Sequence, residues 1–158
     1  MKRDILNDEN AVSISVGFIL TFTITVIAFL MIMQTFYGML YQAEHTVLRE
    51  EFEIHGNDIA VQLTNIDTIV NVTLSSGGDI GEIRYDVSLP DKIAGSYYSV
   101  EFSNLTSEIT FNSDDRLETT AKIPYVTQTT TVSSTKIYSA AGEHYLLYNP
   151  STNLIEVY

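Results

Sequence analysis

The sequence contains no cysteine, which excludes a disulfide framework, a thiolate metal site and a cysteine nucleophile. Basic residues are scarce: 8 Lys and Arg stand against 20 Asp and Glu, for a formal net charge of −12. That balance argues against nucleic-acid binding, because neutralising phosphates takes clustered Lys and Arg. The three histidines, His45, His55 and His144, are ten or more positions apart, and none has the i, i+4 partner of a zinc-binding helix. They are expected at the surface. No Gly-x-Ser-x-Gly elbow is present to build a serine nucleophile. Gly77-Gly78 precedes a strand-like run instead of a helix, so it is no phosphate cradle. The acidic clusters Glu50, Glu51, Glu53 and Asp114, Asp115 lack the spacing of a calcium loop and read as solvated faces. No enzymatic activity, cofactor or metal is expected.

Charge of either sign is also missing between Glu9 and Glu44, a run of 34 residues. The whole chain has 158 residues and a mean hydropathy of +0.09, positive despite its acids, so the apolar residues are concentrated. Most of them lie in residues 16–33. A bilayer core of roughly 30 Å needs about 20 helical residues, and this stretch is long enough. Thr21, Thr23 and Thr25 alternate as in a strand, but no turn signal breaks the run and membrane strands stop at about 10 residues. A membrane helix over residues 11–35 is expected. It is longer than the apolar core of a cleaved secretory signal, and residues 39–43 make a poor cleavage site, so the helix is expected to be retained.

Lys2 and Arg3 precede this helix, and the first basic residue after it is Arg49. Counting Lys and Arg near the ends places the N-terminus in the cytoplasm and the bulk outside. Two Asn-x-Thr triplets, at Asn71 and Asn104, fall on the outer side and are candidate glycosylation acceptors. Such triplets also arise by chance.

Apolar residues keep helical spacing beyond the charge-free run, at Leu48, Phe52, Ile59, Leu63, Ile66 and Val70, with polar residues between them. This predicts an amphipathic extension over residues 36–74, halted by the Ser-Gly-Gly loop signal that follows. Gly56 weakens it by about 1 kcal/mol without stopping it. Residues 80–158 alternate in the β manner. Ile83, Tyr85, Val87 and Leu89 are followed by Tyr98, Val100 and Phe102, by Ile109 and Phe111, and by Leu117, Ala121, Ile123 and Tyr125. Residues 127–135 read as a polar edge strand or a loop. Residues 136–138, 145–148 and 154–158 read as closing strands. An antiparallel meander covered by the 48–70 stripe gives an α+β fold, with a charged tail in residues 1–10. The acidity sits in the β part: residues 44–158 carry a net of −11 and residues 1–43 a net of −1.

The segment from Asn10-Ala-Val-Ser13 through Gly17 into the apolar run ending at Thr25 resembles the N-terminal segment of archaeal type IV pilins. Charged residues there precede Ala-Val-Ser, a short gap, Gly and an apolar run. The plan of short tail, half-membranous helix and antiparallel sheet is similar to pilins and pseudopilins. The resemblance implies a filament or accessory subunit whose partners are membrane lipid and other pilin-like helices or copies of itself. Ser13, Gly17, Thr21 and Thr25, four apart, would then form a helix-packing stripe; the alternative is that these hydroxyls bond only carbonyls of their own helix. Residues 2–10 hold no Gly, Ala or Ser at which a prepilin peptidase would cut. Glu9 stands at the edge of the apolar run, where bacterial pilins have a Glu inside it. A permanently anchored single-pass surface protein with a ligand-binding β domain is the second reading. Ten tyrosines fit half-buried strands, or a Tyr-bearing recognition face for a ligand the sequence does not name.

Overall fold

A computed structural model describes residues 9–114 and 119–158. Lys2 and Arg3, which carry the orientation argument, lie outside the described residues, as do Asp115 and Leu117. The chain divides into two compact units, residues 1–43 and residues 44–158.

One helix, α1 (Glu9–Ser75), runs for 67 residues without interruption through Gly38 and Gly56. Its end is a Schellman cap, in which two amides satisfy carbonyls that have lost their helical partners. The Gly78 N–H donates to the Thr73 carbonyl and the Gly77 N–H to the Leu74 carbonyl, both at 3.0 Å. Gly77 takes the left-handed conformation (φ +74°) that this cap requires and that glycine adopts without penalty.

Among the described residues eight strands follow: β1 (Ile83–Val87), β2 (Tyr98–Ser103), β3 (Glu108–Ser113), β4 (Thr120–Pro124), β5 (Thr131–Val132), β6 (Thr135–Tyr138), β7 (His144–Asn149) and β8 (Leu154–Val157). The fold is α+β. Its strands form two four-stranded sheets instead of one meander, in the orders β1-β7-β8-β5 and β4-β3-β2-β6. The chain changes sheets four times. β1 pairs with β7 some sixty residues away, and β6 returns to the free edge of β2. β5 is parallel to β8, and every other pair is antiparallel. Alternation reports which residues point inward, but it is silent on which strand lies alongside, and a single meander was the simplest arrangement consistent with it.

Within residues 44–158 the core joins the second half of α1 to both sheets. Leu48, Phe52, Ile59, Leu63, Ile66 and Val70 are all 0–1% exposed. Each such side chain contributes about 1.5–3 kcal/mol by leaving water. Phe52, Tyr98 and Phe111 form an aromatic cluster with ring centroids 5.3–5.9 Å apart. Beside it the backbone of α1 approaches β4 closely at Gly56. A methyl group there would lie 2.5 Å from Ile123 Cδ1 and 3.2 Å from Phe111 Cε2. The glycine that costs the helix propensity is the one that lets the sheet seat.

Candidate functional site

The first unit is distinguished by its exposure: among its described residues nearly every side chain is exposed. α1 is the one described helix long and apolar enough to cross a membrane, and its most apolar window is 0% buried. Phe18, Phe22, Ile24, Phe29, Leu30 and Ile32 are all exposed. Phe36, Tyr37 and Tyr41 follow, exposed as well, and place aromatic rings where apolar sequence gives way to polar. Tyrosine at such a boundary suits a membrane–water interface. A single candidate membrane-spanning helix near the N-terminus fits a single-pass membrane protein.

Ser13, Gly17, Thr21 and Thr25 lie on this exposed helix. The Thr21 hydroxyl donates to the Gly17 carbonyl (2.9 Å) and the Thr25 hydroxyl to the Thr21 carbonyl (2.8 Å). Thr23 and Thr35 do the same to Ile19 and Met31. These donor protons are therefore satisfied inside the helix, as an apolar surrounding demands. What the stripe offers a neighbour is its small cross-section and the remaining hydroxyl lone pairs. A methyl group at Gly17 would meet nothing within 4 Å, so no contact inside this chain calls for glycine there.

The β part carries two open grooves. The first, about 480 Å³, is lined by Lys92, Tyr97, Tyr98, Asp114, Tyr138 and Ser139. Its floor is already committed: the Tyr98 hydroxyl donates to the Pro90 carbonyl (2.7 Å), and Ser139 Oγ accepts the Tyr98 N–H and donates to the Asp91 carbonyl. Burial, helped by the charge of Asp91, pushes the Tyr98 phenol well above its ordinary range. Lys92 Nζ lies 4.2 Å from the centroid of the Tyr97 ring, a cation–π contact. The second groove, about 510 Å³, is bordered by Arg84, Asp86, Leu89, Asp91, Glu143 and His144. Tyrosines divide between core and surface. Tyr98, Tyr125 and Tyr148 are buried, while Tyr97, Tyr138 and Tyr158 are exposed.

The histidines are not the surface residues that their spacing suggested. His45 is half-buried, with Nδ1 2.7 Å from Thr119 Oγ1. His55, also half-buried, lies 3.7 Å from the Glu51 carboxylate. His144 is buried because it sits on the inward side of β7 with Leu146 and Tyr148. Its Nδ1–H donates to the Tyr158 carbonyl at 3.2 Å. Among the described residues, no three His, Asp or Glu side chains are grouped to hold a metal ion.

The most heavily coordinated polar group is one the sequence does not advertise. Asp67 sits on the buried face of α1 beside Ile66 and is itself buried. Its carboxylate accepts the N–H groups of Gln128, Thr129 and Thr130 at 2.7–2.9 Å and the Thr130 hydroxyl at 2.9 Å. Burial alone would raise its pKa, but the three amides and the hydroxyl outweigh that and hold it below the ordinary carboxylate value. Asp67 thereby fastens the Ser/Thr-rich loop over residues 127–130 to the helix, leaving only Thr131–Val132 of that stretch to form β5. Asn71 and Asn104 are both exposed, Asn71 on α1 and Asn104 in the turn between β2 and β3.

Comparison with protein families finds one profile, a family of unknown function designated DUF7266, matching residues 7–154. The chain belongs to that family. The match takes in the apolar helix and every strand but β8, of which it reaches only Leu154. Neither curated proteins nor solved structures give a match.

Proposed function

We propose that the chain is a pilin-like subunit, or an accessory component, of a type IV pilus-like surface assembly of the archaeal kind. In this reading it is not an enzyme. Its N-terminus lies inside, and residues 44–158 lie outside. One observation carries the proposal: a single helix has a first part whose apolar side chains are uncovered and a second part whose apolar stripe is fully buried in a β core. An uncovered apolar helix calls for lipid or for other helices. Small residues at 13, 17, 21 and 25 suit close helix approach in that setting. The family match across residues 7–154 supports the apolar helix as a working part of the protein.

The absence of Gly, Ala or Ser from residues 2–10 favours a second reading, a permanently anchored surface protein whose grooves bind a ligand. Mass spectrometry of the mature N-terminus, combined with analysis of sheared surface filaments, separates the two. A cut within residues 3–11 and co-purification with filaments are expected. An intact N-terminus with no chain in the filament fraction would replace the subunit reading with the anchored one.

A further inference from the structure

We propose that the folded chain is N-glycosylated at Asn104 and not at Asn71. The proposal rests on the outward orientation of residues 44–158 stated above. The two triplets, Asn71-Val72-Thr73 and Asn104-Leu105-Thr106, are equivalent as sequence and differ entirely as structure.

A transferase must bring the acceptor amide and the hydroxyl two residues on into one site, which an exposed loop allows. Residues two apart on an α-helix point about 200° apart around the axis. Accordingly, on α1 Asn71 is exposed while Thr73 is half-buried. Asn71 is also engaged: the Ser75 hydroxyl lies 3.2 Å from its Oδ1 and 2.6 Å from its carbonyl oxygen. The Thr73 carbonyl holds the Gly78 N–H of the helix cap. Presenting this triplet would unwind the end of α1.

Asn104, Leu105 and Thr106 are all exposed, Leu105 to 97%. They belong to the four-residue turn, residues 104–107, that joins β2 to β3 above the Ser103–Glu108 pair. Its backbone is fixed by hydroxyls: Ser103 Oγ accepts the Thr106 N–H (3.3 Å) and Ser134 Oγ accepts the Asn104 N–H (3.0 Å). Ser107 completes the turn in the left-handed region (φ +54°). Among the described residues the Asn104 side-chain amide has no hydrogen-bond partner. The turn therefore offers the amide and the hydroxyl on one accessible loop without breaking a strand or a helix.

The donor class is an oligosaccharide linked through phosphate to a membrane lipid. Asn104 Nδ2 forms a bond to C1 of the first sugar, and the bond from C1 to the phosphate oxygen breaks. The lipid phosphate leaves as the anion, and a base on the transferase takes the amide proton.

The distribution of basic residues makes the test direct. Trypsin cuts after Arg49, Arg84, Lys92 and Arg116, so residues 50–84 carry Asn71 alone and residues 93–116 carry Asn104 alone. The full chain is isolated from the membranes of its own cells, digested and analysed by mass spectrometry. The expected result is a glycan mass on the 93–116 peptide only. Asn104→Gln and Thr106→Ala abolish it, whereas Asn71→Gln leaves it unchanged. Because the chain has no cysteine, Ser151→Cys in the exposed turn between β7 and β8 reports orientation through a membrane-impermeant maleimide on whole cells. Labelled cells with an unmodified 93–116 peptide, or with a glycan on residues 50–84, overturn the proposal and leave the orientation standing. Labelling only after lysis overturns the orientation, and the proposal with it.

Discussion

Asp67 places a carboxylate on the one face of α1 that is otherwise apolar, between Leu63 and Val70. A buried charge is tolerated only when it is fully hydrogen-bonded, and Asp67 meets that condition with three amides and a hydroxyl from residues 128–130. Because its folded pKa lies below the ordinary carboxylate value of about 3.9, its stabilisation is complete above that value and is lost as pH falls through the lower folded value. Asp67→Ala leaves the amides without an acceptor, at about 1–3 kcal/mol for each buried donor that water does not reach. We expect a large gap in unfolding free energy between wild type and Asp67→Ala at pH 7, narrowing steadily below about pH 4 as Asp67 protonates. Chemical denaturation at several pH values measures it, and a pH-independent gap would show that the carboxylate charge contributes nothing. The sequence hints at Asp67 only through its position on an apolar stripe. Its partners lie more than sixty residues away, in a loop whose composition allowed either a strand or a coil, so the pairing becomes visible only once the chain has folded.

At the scale of elements, what was legible followed the periodicities, and what was not depended on pairing. The spacing of Leu48 through Val70 marks the buried face of α1, since a helix that must pack has few other ways to place apolar residues. Tyr98, Val100 and Phe102 on β2 are likewise all buried, with Glu101 exposed between them, although Ser99 is buried as well. The division into two sheets was not legible, because β1 and β7, or β2 and β6, carry no mutual signature in their sequences. Gly56 shows the same limit. Its helix-weakening character is evident from composition, but its purpose is the approach of Ile123 and Phe111. Gly56→Ala should therefore destabilise the protein. The gain of about 1 kcal/mol in helix propensity is opposed by about 1–3 kcal/mol of overpacking, and Gly56→Val, which gains less propensity and adds more bulk, should cost more. Thermal or denaturant unfolding of the two variants gives the order; a more stable Gly56→Ala would mean that β4 yields at no cost.

For the whole molecule, the two units differ in what they bury. Residues 44–158 contain every residue that is buried among those described, beginning at Leu48, and nearly all of the negative charge. Residues 1–43 contribute an apolar helix that has no buried residue among those described. The first basic residue after the charge-free run, Arg49, lies within α1 and pairs with Glu53 at 3.0 Å on its exposed side, an arrangement worth little in water. Removing residues 1–43 should then cost the β core nothing it buries. A chain of residues 44–158 should be soluble, monomeric and cooperative in unfolding, its net charge of −11 opposing association, whereas the full chain should sediment with membranes and require detergent. Sedimentation and denaturant unfolding of both forms test this. Aggregation of the 44–158 form at low concentration, or loss of its cooperative transition, would show that the apolar helix supports the core as well as anchoring it. Solubility of the full chain without detergent would remove the membrane from the account.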